Sequence, residues 1–159
     1  MTESISRSVS IQELGPVIAQ TVNAGGTAEL TVTGRSMLPL LLDRVSRVKL
    51  KAVTEPERGD MIFYRRDSGT YVLHRVISCD PDGSYTMCGD AQTVPEPGLR
   101  REQMIAVVQS FARREKWRDC EDTLYKLWWH IHVADRPCRR FLSRALGFLK
   151  RKLRGIPII

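Results

Sequence analysis

A mostly antiparallel β-sheet carrying a helix at each end, an α+β fold, is the class this sequence predicts. Three observations point to it. Between Ala28 and Ala112, short runs rich in β-branched and aromatic residues alternate with Gly, Asp and Pro turns at hairpin spacing. Before that stretch, apolar residues recur every three or four positions and stop at Gly25-Gly26; after Arg113 the helical period returns.

Ser10-Ile11-Gln12-Glu13 reads as a capping box, a hydroxyl followed three residues later by a carboxylate, and opens a helix with Ile11, Leu14, Ile18 and Val22 on one side. Pro16 falls in its first turns, where proline does least harm. Ala28 to Thr33 alternates as a strand leading to Ser36. Leu38 to Leu42 is apolar but interrupted by Pro39, which favours a helical turn beside the serine. Ser46 to Val53, Met61 to Arg66, Thr70 to Cys79 and Ser84 to Cys88 read as strands. Thr93 to Leu99, with Pro95, Pro97 and Gly98, reads as a loop, and Met104 to Ala112 as a closing strand. Beyond it, Asp122 to Val133 places Leu124, Leu127, Trp128 and Ile131 on a helical stripe, with Trp129 and His130 at its edge. Pro137 opens a second amphipathic segment, with Phe141, Leu142, Ala145, Leu146, Leu149 and Leu153 among many basic residues.

Length and charge set the domain plan. At 159 residues the chain can bury one core. The expected divisions are a helical segment at 1–26, a β-domain at 27–113 and a basic helical segment at 114–159. The formal charge of +7 is unevenly placed: from Arg113 onward 13 Lys and Arg stand against 5 Asp and Glu, so the rest of the chain is nearly neutral. A basic amphipathic carboxyl-terminal segment suits an anionic membrane surface, and a solvated face packed on the sheet is the plainer alternative. Nucleic acid ranks below both. Cys79, Cys88, Cys120 and Cys138 have neither CxxC nor zinc-ligand spacing and are expected as reduced thiols. His130 and His132 do not share a helical face, so no metal site is expected of them. No signal peptide and no apolar run of spanning length is evident, and the expected location is the cytoplasm, with contact at the inner face of the membrane.

Three residue types in strand-and-turn contexts carry a possible chemistry. Ser36 lies in Thr33-Gly34-Arg35-Ser36-Met37-Leu38-Pro39, His74 in Tyr71-Val72-Leu73-His74-Arg75-Val76-Ile77, and Asp90 in Cys88-Gly89-Asp90-Ala91-Gln92. A serine hydroxyl is a poor nucleophile at neutral pH unless a base takes its proton. Imidazole is suited to take and return that proton, and a carboxylate on its other nitrogen fixes the tautomer. Taken singly, Ser36 reads as a turn serine, His74 as a satisfied strand histidine and Asp90 as a turn former; their joint context lifts the catalytic reading. Asp60, at a strand entrance, reads as structural. Arg75 points away from the His74 face by strand alternation.

Four blocks in order resemble the signal peptidase I superfamily, which includes the self-cleaving SOS and phage repressors: Gly34-Arg35-Ser36-Met37-Leu38-Pro39, Arg58-Gly59-Asp60-Met61-Ile62-Phe63-Tyr64, Leu73-His74-Arg75-Val76-Ile77 and Met87-Cys88-Gly89-Asp90-Ala91-Gln92. They cover Ala28 to Arg113. The resemblance implies a coiled antiparallel sheet and a serine endopeptidase that cleaves a leader-type peptide through an acyl-enzyme. His74 in place of a lysine base is similar to the archaeal and endoplasmic-reticulum branch. Carried over, Ser36 is the nucleophile, His74 the general base and Asp90 the orienting carboxylate; Gly34, Ser36 and Met37 position the oxyanion and substrate. No cofactor and no metal is implied.

The chain departs from the family at several places. Gly34 stands where many members have a serine, as in the repressor branch, with Thr33 as a substitute contact. Gln92 replaces an asparagine, and Glu96 is a second candidate carboxylate. The membrane anchor usual before the serine block is missing. Two alternatives follow: a peptide-binding module of the same fold without turnover, and a self-cleaving regulator cut near Ala24-Gly25 or Ala28.

Overall fold

The structure is a computed structural model that describes residues 11–134. The capping residue Ser10, Cys138 and the second amphipathic segment, 136–159, lie outside the described residues. Helix α1 (Ile11–Asn23) is followed by strands β1 (Ala28–Thr31), β2 (Ser46–Ala52), β3 (Met61–Arg65), β4 (Tyr71–Cys79), β5 (Tyr85–Cys88), β6 (Glu96–Leu99), β7 (Met104–Arg113) and β8 (Lys116–Asp119), then helix α2 (Thr123–Ala134). Every pairing is antiparallel, in the order β1-β2-β7-β3-β4-β5-β6, with β8 also paired to β7. The fold is mostly antiparallel β with two helices among the described residues, the α+β class expected.

Continuous apolar sequence in β3 explains how the sheet bends. Met61, Ile62, Phe63 and Tyr64 are all buried, so both faces of this central strand are covered. Met61 and Phe63 join a core with Ile18 and Val22 of α1, Leu30, Val48, Leu50, Phe111 and the α2 residues Tyr125 and Trp129. Ile62 and Tyr64 face a second core with Val53, Val76, Met87, Leu99 and Met104. The two cores lie on opposite faces of β3 and β4. Register irregularities in β7 against both β2 and β3 supply the curvature between them. Helix α1 approaches so closely that a Cβ on Gly15 would fall 2.4 Å from the Tyr71 ring.

Four expectations are corrected. Glu96–Leu99 is a strand, not a loop, and it pairs β5 at the edge of the sheet, where Pro97 costs no ladder bond on its open side. Met104–Arg113 does not close the sheet; it lies at its centre, with β3 against its first half and β8 against its second. β8 was not anticipated, because Lys-Trp-Arg-Asp lacks strand composition; the turn at Arg114 (φ 61°) forces the hairpin. Helix α2 also turns a different side inward. Tyr125 and Trp129 are buried, whereas Leu124, Leu127 and Ile131 are 69%, 58% and 62% exposed. Residues 38–42 form the anticipated turn, closed by Leu41 N–H donating to Met37 O at 2.9 Å.

Candidate functional site

Ser36 is held by its backbone between two turns. Gly34 adopts φ +92°, a conformation glycine takes without strain, and its N–H donates to Asp43 Oδ1 at 2.8 Å. Met37 is buried in the first core, which pins the residue after the serine. The Ser36 carbonyl accepts the Ala91 N–H at 2.8 Å. Ser36 itself is half-buried and borders a cavity of about 120 Å³ with Val32, Thr33, Met37, Tyr71 and Leu73.

The register of β4 with β5 brings His74 to the same place. Arg75 pairs with Cys88 and Val76 with Met87, so His74 and Gly89 are the two residues just beyond the last pair of the ladder. A Cβ on Gly89 would lie 2.5 Å from Ser36 O and 3.0 Å from Ser36 Cβ. Ser36 therefore packs on the turn that follows the β4–β5 ladder at its His74 end, and only glycine at 89 leaves room for it. Gln92 completes the turn: its Oε1 accepts the Gly89 N–H at 3.1 Å and its own N–H donates to Gly89 O.

The same alternation sends Asp90 to the other face, that of Arg75. The guanidinium of Arg75 donates through Nε to Asp90 Oδ1 at 2.8 Å and through Nη2 to Oδ2 at 2.7 Å, and both side chains are fully buried. Nη1 donates to Gly59 O at 2.7 Å and to Tyr125 Oη at 2.8 Å. Burial disfavours the charge of Arg75, but the Asp90 carboxylate more than offsets it, and the guanidinium is held more basic than usual. Helix α2 closes over this pair: Tyr125 and Trp128 lie against the guanidinium, and His132 Nε2 is 3.1 Å from the Asp90 carbonyl oxygen. Gly59, at φ +106°, leaves space for Trp129, whose ring would sit 2.3 Å from a Cβ there. Asp60 is structural, accepting the Glu57 N–H at 2.9 Å, and burial raises its carboxyl above the usual range.

On the His74 face a different carboxylate is present. Tyr64 Oη is 3.2 Å from His74 Nδ1 and donates to Glu96 Oε2 at 2.9 Å. Glu96 in turn is gripped by Arg66, with Nη2 at 2.6 Å from Oε2 and Nε at 2.8 Å from Oε1. Burial and the neighbouring Glu96 carboxylate push the Tyr64 phenol well above its ordinary value, so it keeps its proton. For Glu96, burial pulls upward, but the bonds from Arg66 and Tyr64 outweigh it and hold the carboxyl below the usual range. That contribution to stability is present above the ordinary carboxylate pKa and is lost as pH falls through the lowered one. Glu96 was legible only as a second carboxylate; its link through Tyr64 needs the β6 strand that the prolines concealed.

Among the described residues no group of three or more His, Cys, Asp or Glu is placed to hold a metal. Cys79 is exposed, Cys88 buried and Cys120 half-buried, all as free thiols. Neither a family model nor a curated protein matches this chain.

Proposed function

We propose that the chain is a serine endopeptidase resembling signal peptidase I, with Ser36 as nucleophile and His74 as general base. One observation carries the reading: the serine block packs on Gly89, the residue directly after the Cys88 that pairs with the neighbour of His74, so two segments far apart in sequence meet at one end of the β4–β5 ladder. His74 takes the Ser36 hydroxyl proton as Oγ attacks a peptide carbonyl, then gives it to the leaving amine; water regenerates the serine. The Ser36 backbone N–H is an oxyanion donor by the same analogy.

The surroundings suit an extended peptide. Strand β5 pairs β4 only from Arg75 onward, so the edge of β4 over Tyr71–Leu73 has no strand partner among the described residues, and a peptide added there would take the place of the Gln12 side chain, which bonds the Tyr71 N–H and carbonyl. That edge adjoins the small cavity beside Ser36, which has room for one short apolar side chain before the cut. The test is intact-mass labelling with a serine-reactive acylating probe. Wild type gains one adduct and Ser36→Ala none. An unlabelled, folded wild type would favour the alternative, a peptide-binding module without turnover.

The proposed place of action is an anionic membrane surface at its cytoplasmic side. No helix among the described residues is long and apolar enough to cross a membrane. Leu124, Leu127 and Ile131 instead form an exposed stripe on α2, next to a groove lined by Pro39, Leu40, Phe111, Arg113, Lys116 and Arg118. Apolar side chains flanked by cations fit an anionic bilayer, and the sequence from Arg136 to Ile159 continues the same combination. The triple substitution Leu124→Gln, Leu127→Gln, Ile131→Gln should weaken sedimentation with vesicles rich in phosphatidylglycerol at least about tenfold, given roughly 0.8 kcal/mol per buried methylene. Equal binding of the triple variant would refute this surface.

A further inference from the structure

We infer that Tyr64 and Glu96 are the positioning residues of His74, and that Asp90 instead anchors α2 through Arg75. The inference rests on the peptidase reading, since a positioned base matters to rate only where His74 takes a proton.

Hydrogen counting gives the tautomer. Tyr64 has one hydroxyl proton, and an ionised Glu96 can only accept; the 2.9 Å bond between them therefore uses that proton. The 3.2 Å contact from Tyr64 Oη to His74 Nδ1 must then be made by a proton on Nδ1. Nε2 becomes the basic nitrogen of the neutral ring. When the Ser36 proton arrives at Nε2 and the Oγ–carbon bond forms, the imidazolium is stabilised by the phenol oxygen and, one bond further, by the Glu96 charge. Nδ1 keeps its proton throughout. The proton on Nε2 leaves with the amine as the carbon–nitrogen bond breaks.

Strand β3 brings Tyr64 and, in register, the apolar Ile62; β6 brings Glu96, with Arg66 beyond it; the turn after β5 brings Gly89, which has no side chain. Arg75 and Asp90 occupy the opposite face of β4, bonded to each other and tied to α2. Arg66 has a second consequence. By holding the Glu96 charge, it keeps the acceptor available at mildly acidic pH, where the positioning would otherwise fail.

The test is ¹⁵N NMR of the full chain, with the His74 signals assigned by their loss in His74→Gln, together with the pH dependence of Ser36 acylation. The neutral wild-type ring should be the Nδ1–H tautomer. Tyr64→Phe keeps the ring packing, and Glu96→Gln lies at the partly exposed edge; each should lower the His74 pKa by about one unit and slow acylation at least about tenfold. The double variant Arg75→Met, Asp90→Leu, which removes both buried charges together, should move neither tautomer nor pKa. An Nε2–H ring in wild type overturns the inference, as does a His74 pKa that follows the Arg75–Asp90 change and ignores Glu96→Gln. If the tautomer and pKa behave as expected but Ser36 never acylates, the positioning stands and the peptidase reading fails.

Discussion

Arg75→Met should destabilise the fold by about 3–5 kcal/mol, because it strands the Asp90 carboxylate in a site with no exposure. Against a total stability of roughly 5–15 kcal/mol for a domain, that is a large fraction. For a chain of this length it corresponds to about 10 °C in Tm. The loss goes beyond one ion pair. Arg75 also donates to the Gly59 carbonyl and the Tyr125 hydroxyl oxygen, so its removal leaves three buried polar groups short of a donor. Asp90→Leu should cost as much, by leaving the guanidinium charged and buried. Arg75→Met combined with Asp90→Leu should recover the part of the loss that comes from the stranded carboxylate, while the Gly59 carbonyl and the Tyr125 hydroxyl still lack their donor and keep the double variant below wild type. Urea denaturation of the four proteins decides it. Additive losses in the double variant would mean that the pair is not energetically coupled and that α2 is held mainly by its aromatic residues.

This network explains why a strand residue between an active-site candidate and an apolar core is an arginine. On sequence alone, Arg75 reads as pointing away from the face of His74. The alternation was legible and the burial was not, because its partners come from a turn 15 residues on and a helix 50 residues on. Each of the two Gly-Asp pairs divides its labour in a way no local pattern reveals. Gly89 makes room for Ser36 while Asp90 bonds Arg75; Gly59 makes room for Trp129 while its carbonyl accepts from the same guanidinium. The strands β1 to β5 and α1 were legible because period and turn chemistry agree there. β6 and β8 were not, since Pro97-Gly98 and a charged Lys-Trp-Arg-Asp oppose strand propensity and pair only because hairpin geometry presents an edge. Helix α2 was found by its period but with the wrong side inward. Tyr125, which can give its hydroxyl to Arg75, goes to the core ahead of the more apolar Leu124 and Leu127.

The register of β4 and β5 has the same bearing on the candidate site. A Ser, His and Asp in the expected order suggest a linear relay, yet Asp90 is bonded to Arg75, which strand alternation places on the face of β4 away from His74. The carboxylate that reaches the imidazole side arrives from β6 by way of a tyrosine. Proximity in sequence pattern is therefore weaker information about an orienting group than strand parity. Parity becomes readable only once the register is known.

His74→Ala should slow acylation of Ser36 by about 10²–10⁴-fold at neutral pH, the range spanned by loss of a general base. The residual rate should lose its dependence on imidazole ionisation. Wild-type acylation rises as His74 gives up its proton, whereas the variant should rise only with hydroxide. Ser36→Ala removes the nucleophile altogether, and the double variant should be no worse than Ser36→Ala alone, because the two side chains act as one unit. A stopped-flow or mass-resolved time course with a serine-reactive probe measures all three. The stability cost separates this effect from unfolding. Ser36 is half-buried and its backbone bond to Ala91 survives substitution, so Ser36→Ala should melt close to wild type. His74 is buried beside Tyr64, and its loss leaves the phenol oxygen one donor short, a penalty of about 1–3 kcal/mol. That is too small to empty the native state of a domain stable by roughly 5–15 kcal/mol, so unfolding does not account for a hundredfold or larger loss in rate. Labelling that persists in His74→Ala at the wild-type rate and pH dependence would remove histidine from the reaction and leave Ser36 activated by some other group.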